Sequence, residues 1–116
     1  MSLKRIIKVL ASLGLSQTDA QVYIYLATNG PNKARAIVDD LNVNRGQVYQ
    51  SLKRLQNRGV TIASDERPIE FSAVPFEKVL DLLMEIKKEQ AQALEESRKE
   101  FLSSWRKILE ENSEKS

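Results

Sequence analysis

Three observations predict a mainly α-helical fold with one small β-hairpin. Apolar residues recur at helical spacing along most of the chain. Cap and breaker residues punctuate these segments at short intervals. Only residues 60–74 switch to β-branched and alternating residues around a polar turn. The length of 116 residues suits one small domain with an appendage. The boundary is expected between 1–75 and 76–116.

The first helix is expected over Leu3–Leu13, where Leu3, Ile6, Ile7, Leu10 and Leu13 form a stripe and Gly14 ends it. Lys4, Arg5 and Lys8 lie off that stripe. Ser16, with Asp19 three residues on, has the pattern of a capping box. The helix it opens is expected to run to about Thr28 and, because Val22 to Ala27 is apolar or aromatic without a break, to be buried on most sides. Asn29-Gly30-Pro31 breaks it. Asn32 is the expected cap of a short third helix through Ala34, Ile37, Val38 and Leu41. Leu41-Asn42-Val43-Asn44 is a tight joint into the next helix.

That fourth helix has both ends marked. Asn44 can cap it, Gln47 can reach back to the cap, and Gly59 sits where a left-handed residue closes a helix. Val48, Leu52 and Leu55 share one face. The other side carries Gly46, Gln47, Gln50, Lys53, Arg54 and Asn57, and no acid lies between Asn44 and Gly59. A solvated surface helix would look similar. An outer face of amides and cations also suits a DNA groove, where Arg reads guanine and Asn or Gln reads adenine. Two short helices with a tight joint form a helix-turn-helix, whose second helix does the reading.

Val60-Thr61-Ile62-Ala63-Ser64 and Ile69 to Val74 read as two strands around the turn Asp65-Glu66-Arg67-Pro68. A hairpin directly after the reading helix is the order of a winged helix. Arg67 near its tip is a candidate DNA contact, and Asp65 and Glu66 beside it oppose deep entry. Pro75 ends the strand. From Phe76 to about Glu111 the pattern is helical with no Pro or Gly, which gives a helix of roughly 50 Å. Its best seam is Leu83, Ile86, Gln90, Leu94, Ser97, Phe101, Trp105 and Ile108, an eleven-residue repeat rather than a heptad. Val79, Leu80 and Leu83 are expected to cover the core. Leu94, Phe101, Leu102, Trp105, Ile108 and Leu109 are the expected interface of a homodimer built on paired, coiled-coil-like helices.

Charge divides the chain. Residues 1–67 hold ten Lys/Arg against five Asp/Glu, and residues 68–116 hold eight against eleven. The basic part is the candidate for a polyanion. With no Cys and no His, disulfides, thiolate nucleophiles, Cys/His zinc sites and the commonest general base are excluded. The four glycines are scattered, so no phosphate-cradling loop forms. No cofactor, no metal and no enzymatic activity are expected. No apolar run is long enough to span a bilayer and the N-terminus is not a signal peptide, so a cytoplasmic protein without a membrane partner is expected.

Leu13-Gly14-Leu15-Ser16 with Ala20 and Val22-Tyr23, Gly30-Pro31, and Val48-Tyr49 with Leu52, Leu55 and Gly59 form an ordered pattern. It closes with Arg67-Pro68, Phe71, Ala73-Val74-Pro75 and Val79-Leu80. In order and spacing, residues 1–80 resemble the TrmB-like winged-helix domain of archaeal and bacterial transcriptional regulators. The resemblance implies sequence-directed binding of double-stranded DNA, commonly by a dimer. Larger members carry a sugar-binding domain after the long helix, where this chain stops; the resemblance therefore does not extend to a sugar-responsive role, and no small-molecule effector is evident.

The expected function is therefore a dimeric DNA-binding transcriptional regulator with helix 44–58 in the major groove. Arg45, Gln47, Gln50 and Arg54, with Ser51, are the candidates for base or groove-edge contacts, and Asn44 joins the DNA-facing set. Lys33, Arg35, Lys53 and Arg58 are the phosphate candidates, ahead of Lys4, Arg5 and Lys8. Tyr49 fits either core packing or a phosphate hydrogen bond. Two rival readings share these features: a sequence-blind architectural DNA-binding protein, and a protein-binding winged-helix module of the transcription machinery.

Overall fold

A computed structural model describes residues 2–114. The elements are α1 (Leu3–Ser12), α2 (Gln17–Asn29), α3 (Ala34–Leu41), α4 (Arg45–Asn57), β1 (Thr61–Ala63), β2 (Phe71–Ala73), α5 (Phe76–Glu96) and α6 (Arg98–Glu114). The structure is mainly α with one antiparallel hairpin, the winged helix-turn-helix class that the sequence predicts.

The chain divides into two compact units, one ending at Leu83 and one starting at Met84. The first therefore reaches past the boundary expected at 75, because Val79 and Leu83 of α5 are buried in it. Its core is built around α2, which packs on α1, α4 and β2. Ser16 caps α2 by accepting from the Asp19 N–H at 3.0 Å. Val22, Tyr23 and Leu26 of α2 are buried, as are Leu10, Ile37, Val48, Leu52, Leu55 and Val60. The Tyr23 hydroxyl keeps its buried ring satisfied by donating to the Val74 carbonyl at 2.7 Å.

Two local expectations are corrected. The apolar run of α2 is not buried on most sides: Ile24 and Tyr25 are half-buried and Ala27 is exposed. Tyr25 instead spends its hydroxyl on Asp40, tying α2 to α3. Asn32 does not cap α3. Lys33 occupies that position without a side-chain cap. The Asn32 backbone pairs with Phe71 through N–H···O bonds of 3.1 and 2.8 Å, an isolated bridge that ties the segment before α3 to the hairpin.

The hairpin aligns Thr61 with Ala73, Ile62 with Ser72 and Ala63 with Phe71. It starts where α4 stops. Gly59, at φ 79°, donates to the Gln56 carbonyl at 3.1 Å, and Val60 donates to the Leu55 carbonyl at 2.9 Å. These are the two bonds of a Schellman closure, and its left-handed residue favours glycine.

In the second unit, Ser97 separates α5 from α6 in name only. Ser97 donates to the Ala93 carbonyl and accepts from Phe101, both at 3.1 Å, so the helical ladder continues through it. From Met84 to Ser113 no residue is buried, and only Ile86 and Ser97 are half-buried. Leu94, Phe101, Leu102, Trp105, Ile108 and Leu109 are all exposed, Trp105 by 56%. No described helix is long and apolar enough to cross a membrane.

Candidate nucleic-acid interface

The helix α4 is fixed from below by Val48, Leu52 and Leu55, which are almost wholly buried. Its first turn is held by Asn44, whose Oδ1 accepts from the Gly46 N–H at 2.8 Å and from the Gln47 N–H at 3.3 Å. Asn44 is exposed, but this oxygen is occupied by the cap. Arg45, Gln47, Gln50 and Lys53 are exposed on a helix that contains no acid. The Arg45 guanidinium lies 5.5 Å from the centroid of the Tyr49 ring, a cation–π arrangement. Tyr49 is 46% exposed, which excludes the core-packing alternative for it.

A groove runs between the start of α3, the first turns of α4 and the wing. Lys33, Arg35, Arg45 and Arg67 line it together with Tyr49 and the apolar residues Pro68, Ile69 and Phe71. Four cations from three separate stretches thus converge, although Arg45 and Arg67 are far apart in sequence. Asp65 and Glu66, the acids of the turn, do not line it. Lys4, Arg5 and Lys8 are exposed on α1, away from this groove.

Three further expected contacts have structural partners. Ser51 is fully buried, and its hydroxyl donates to Asp19. Its candidacy as a groove contact is withdrawn, since no ligand reaches a hydroxyl with no exposed surface. Arg54 is half exposed, yet its Nε donates to Asp19 Oδ2 at 3.2 Å and its Nη2 to Asp19 Oδ1 at 2.8 Å. The Arg58 Nη1 donates to the Gly14 carbonyl at 3.0 Å and so ties the end of α4 to the α1–α2 turn.

Asp19, read from sequence as a capping residue alone, is the unexpected member. Its side chain is 4% exposed. Burial alone would raise its pKa, but hydrogen bonds from Arg54 and Ser51, with the Arg54 charge, outweigh that and hold it below the ordinary carboxylate value. The same hydrogen bond raises the pKa of Arg54. The available signal was the i, i+3 spacing of Ser51 and Arg54, which puts both on one side of α4; nothing local told which acid they meet.

No curated protein sequence matches the chain. Several solved structures share its fold. An archaeal chromatin protein, TrmBL2, described as showing a novel mode of DNA binding, superposes with a TM-score of 0.74 at 18% identity, over 92% of this chain and 42% of that one. A protein of Sulfolobus tokodaii gives 0.64 at 20% identity, over 80% and 98%. A possible transcriptional regulator of Methanosarcina mazei gives 0.63 at 17% identity, over 86% and 88%. At these identities the likeness is one of fold. Family membership comes from the sequence itself: residues 10–77, from the end of α1 to the start of α5, match the model of the sugar-specific transcriptional regulator TrmB. With more than half of its length matched, and with the helices and wing of that match observed in its structure, this chain belongs to the TrmB family of transcriptional regulators.

Proposed function

We propose that the chain regulates transcription by binding double-stranded DNA as a homodimer, with α4 presented to the major groove. The observation that carries this reading is the acid-free exposed face of α4 beside the four-cation groove. Arg45, Gln47 and Gln50, in the first two turns, take base edges. Lys33, Arg35, Lys53 and Arg67 take phosphates, which position the helix without reading sequence. The description of TrmBL2 as a DNA-binding protein is consistent with this assignment. The exposed apolar stripe on α6 supports the dimer, because contiguous apolar surface on a helix usually marks an interface. Two copies would present two α4 helices about 34 Å apart, one turn of DNA.

The test is a mobility-shift assay on fragmented genomic DNA and on random duplexes, each at two salt concentrations. The proposal expects a subset of genomic fragments to bind more tightly than random DNA at both. Arg45→Ala should reduce that preference by about 1–3 kcal/mol if its contact to guanine is bidentate. Equal binding of all fragments would support sequence-blind coating instead. No binding to any DNA would leave the protein-binding reading.

A further inference from the structure

Asp19 is a buried acid beneath the acid-free, basic helix α4, where it would be expected to oppose a polyanion. Its geometry suggests the reverse. Ser51 and Arg54 stand three residues apart on α4, and both converge on it across 32 and 35 residues of chain. The guanidinium is a rigid plane. Its Nε–Nη2 edge faces the carboxylate, and the remaining Nη2 proton is taken by Ser51 Oγ at 3.2 Å. Fixing that edge fixes the plane and sets Nη1 on the opposite side, where it donates to nothing among the described residues. The Arg54 side chain is 47% exposed. A fork onto a guanine needs two neighbouring free donors, and Arg54 has only Nη1 left. One unpartnered nitrogen on a half-exposed side chain suits a single phosphate oxygen.

We propose that Asp19 is a positioning residue for DNA: from beneath the surface it holds Arg54 so that Nη1 is offered, already oriented, to a backbone phosphate. Arg54 is then a phosphate contact rather than a base reader. The rotamer freedom of a long side chain is lost on folding and not on binding, which is the general benefit of preorganisation. This inference rests on the DNA-binding reading above and adds a residue that never touches the DNA.

The experiment titrates a random-sequence DNA duplex with the full chain over a range of salt concentrations. Wild type is compared with Asp19→Asn, Arg54→Ala, the double variant and Ser51→Ala, all below their melting temperatures. Removing a negative charge should by itself tighten binding to a polyanion. The proposal expects Asp19→Asn to weaken it by roughly three- to tenfold, the cost of one newly mobile side chain. Arg54→Ala should weaken binding and lower the salt slope by about 0.9, one phosphate contact. The double variant should bind no worse than Arg54→Ala. Asp19→Asn binding as tightly as wild type or tighter, or a double variant whose losses add, overturns the proposal. If Asp19→Asn does not fold, Ser51→Ala decides: weaker binding supports the device, and unchanged binding overturns it. Wild type failing to bind the duplex at any salt defeats the DNA-binding reading itself, a separate outcome.

Discussion

The two units of this chain use the same kind of helix to opposite ends. In the first, Val48, Leu52 and Leu55 form an apolar stripe on α4 that is buried against its own domain. In the second, Phe101, Trp105 and Ile108 form an apolar stripe on α6 that stays exposed. Periodicity is equally clear in both. What differs is the presence of partners within the same unit, since a helix is stabilised mainly by packing of its apolar face. The first unit is complete in this sense. The second carries apolar surface that only something outside it can cover, which is why the dimer was proposed there.

Substitutions at matched positions break the comparison if it is wrong. The largest effect is expected from Leu52→Ala, which should destabilise the first unit by about 2–5 kcal/mol, because it empties a closed core. Ile108→Ala should leave the same urea transition within about 0.5 kcal/mol. Equal losses from the two would erase the distinction.

Trp105→Glu should weaken the proposed dimer by about 2–4 kcal/mol, as for a central aromatic anchor. Sedimentation velocity would then show monomer at concentrations where wild type is dimeric. Unchanged sedimentation would place the interface elsewhere.

Asp19→Asn is expected to cost the first unit about 1.5–3 kcal/mol, because it removes the carboxylate charge and replaces one of the two oxygens that accept from Arg54 and Ser51 with an NH2 that cannot accept. The pH dependence has a definite sign. The folded pKa of Asp19 lies below its unfolded value of 3.8, so its stabilisation is complete above that pH and is lost as pH falls through the depressed folded value. Acid titration of stability should be shallower in Asp19→Asn, and an unchanged acid limb would show that the carboxylate is not held as described.

The smallest effect should come from Lys33→Ala. Its fold stability should be unchanged, and the salt slope of DNA binding should fall by about 0.9. A fall in discrimination between sequences would instead make Lys33 a base contact.

Most of the fold was legible because its signals are local. The Ser16 and Asn44 caps, the glycine closure at Gly59 and the alternation around 60–74 each act within a few residues, and each was found where expected. The errors arose where tertiary partners decide. Asn32 has the chemistry of a cap, but its backbone is taken by Phe71. Ser51 and Arg54 were both candidate groove contacts, but Asp19 draws one inward and pins the other. Arg58 was an open cation until Gly14 came beside it. A helical wheel reports which residues share a side, not which buried acid from another helix arrives there. The convergence of Lys33, Arg35, Arg45 and Arg67 was half legible: each was a candidate singly, and only the fold joins them in one groove.

The most direct test of a paired reading helix is a hydroxyl-radical footprint of the full chain on its tightest genomic fragment. Two protected patches on one face of the duplex, about 10 base pairs apart, are expected from two α4 helices in successive major grooves. Uniform protection along the fragment, or a single patch at saturating protein, would contradict it.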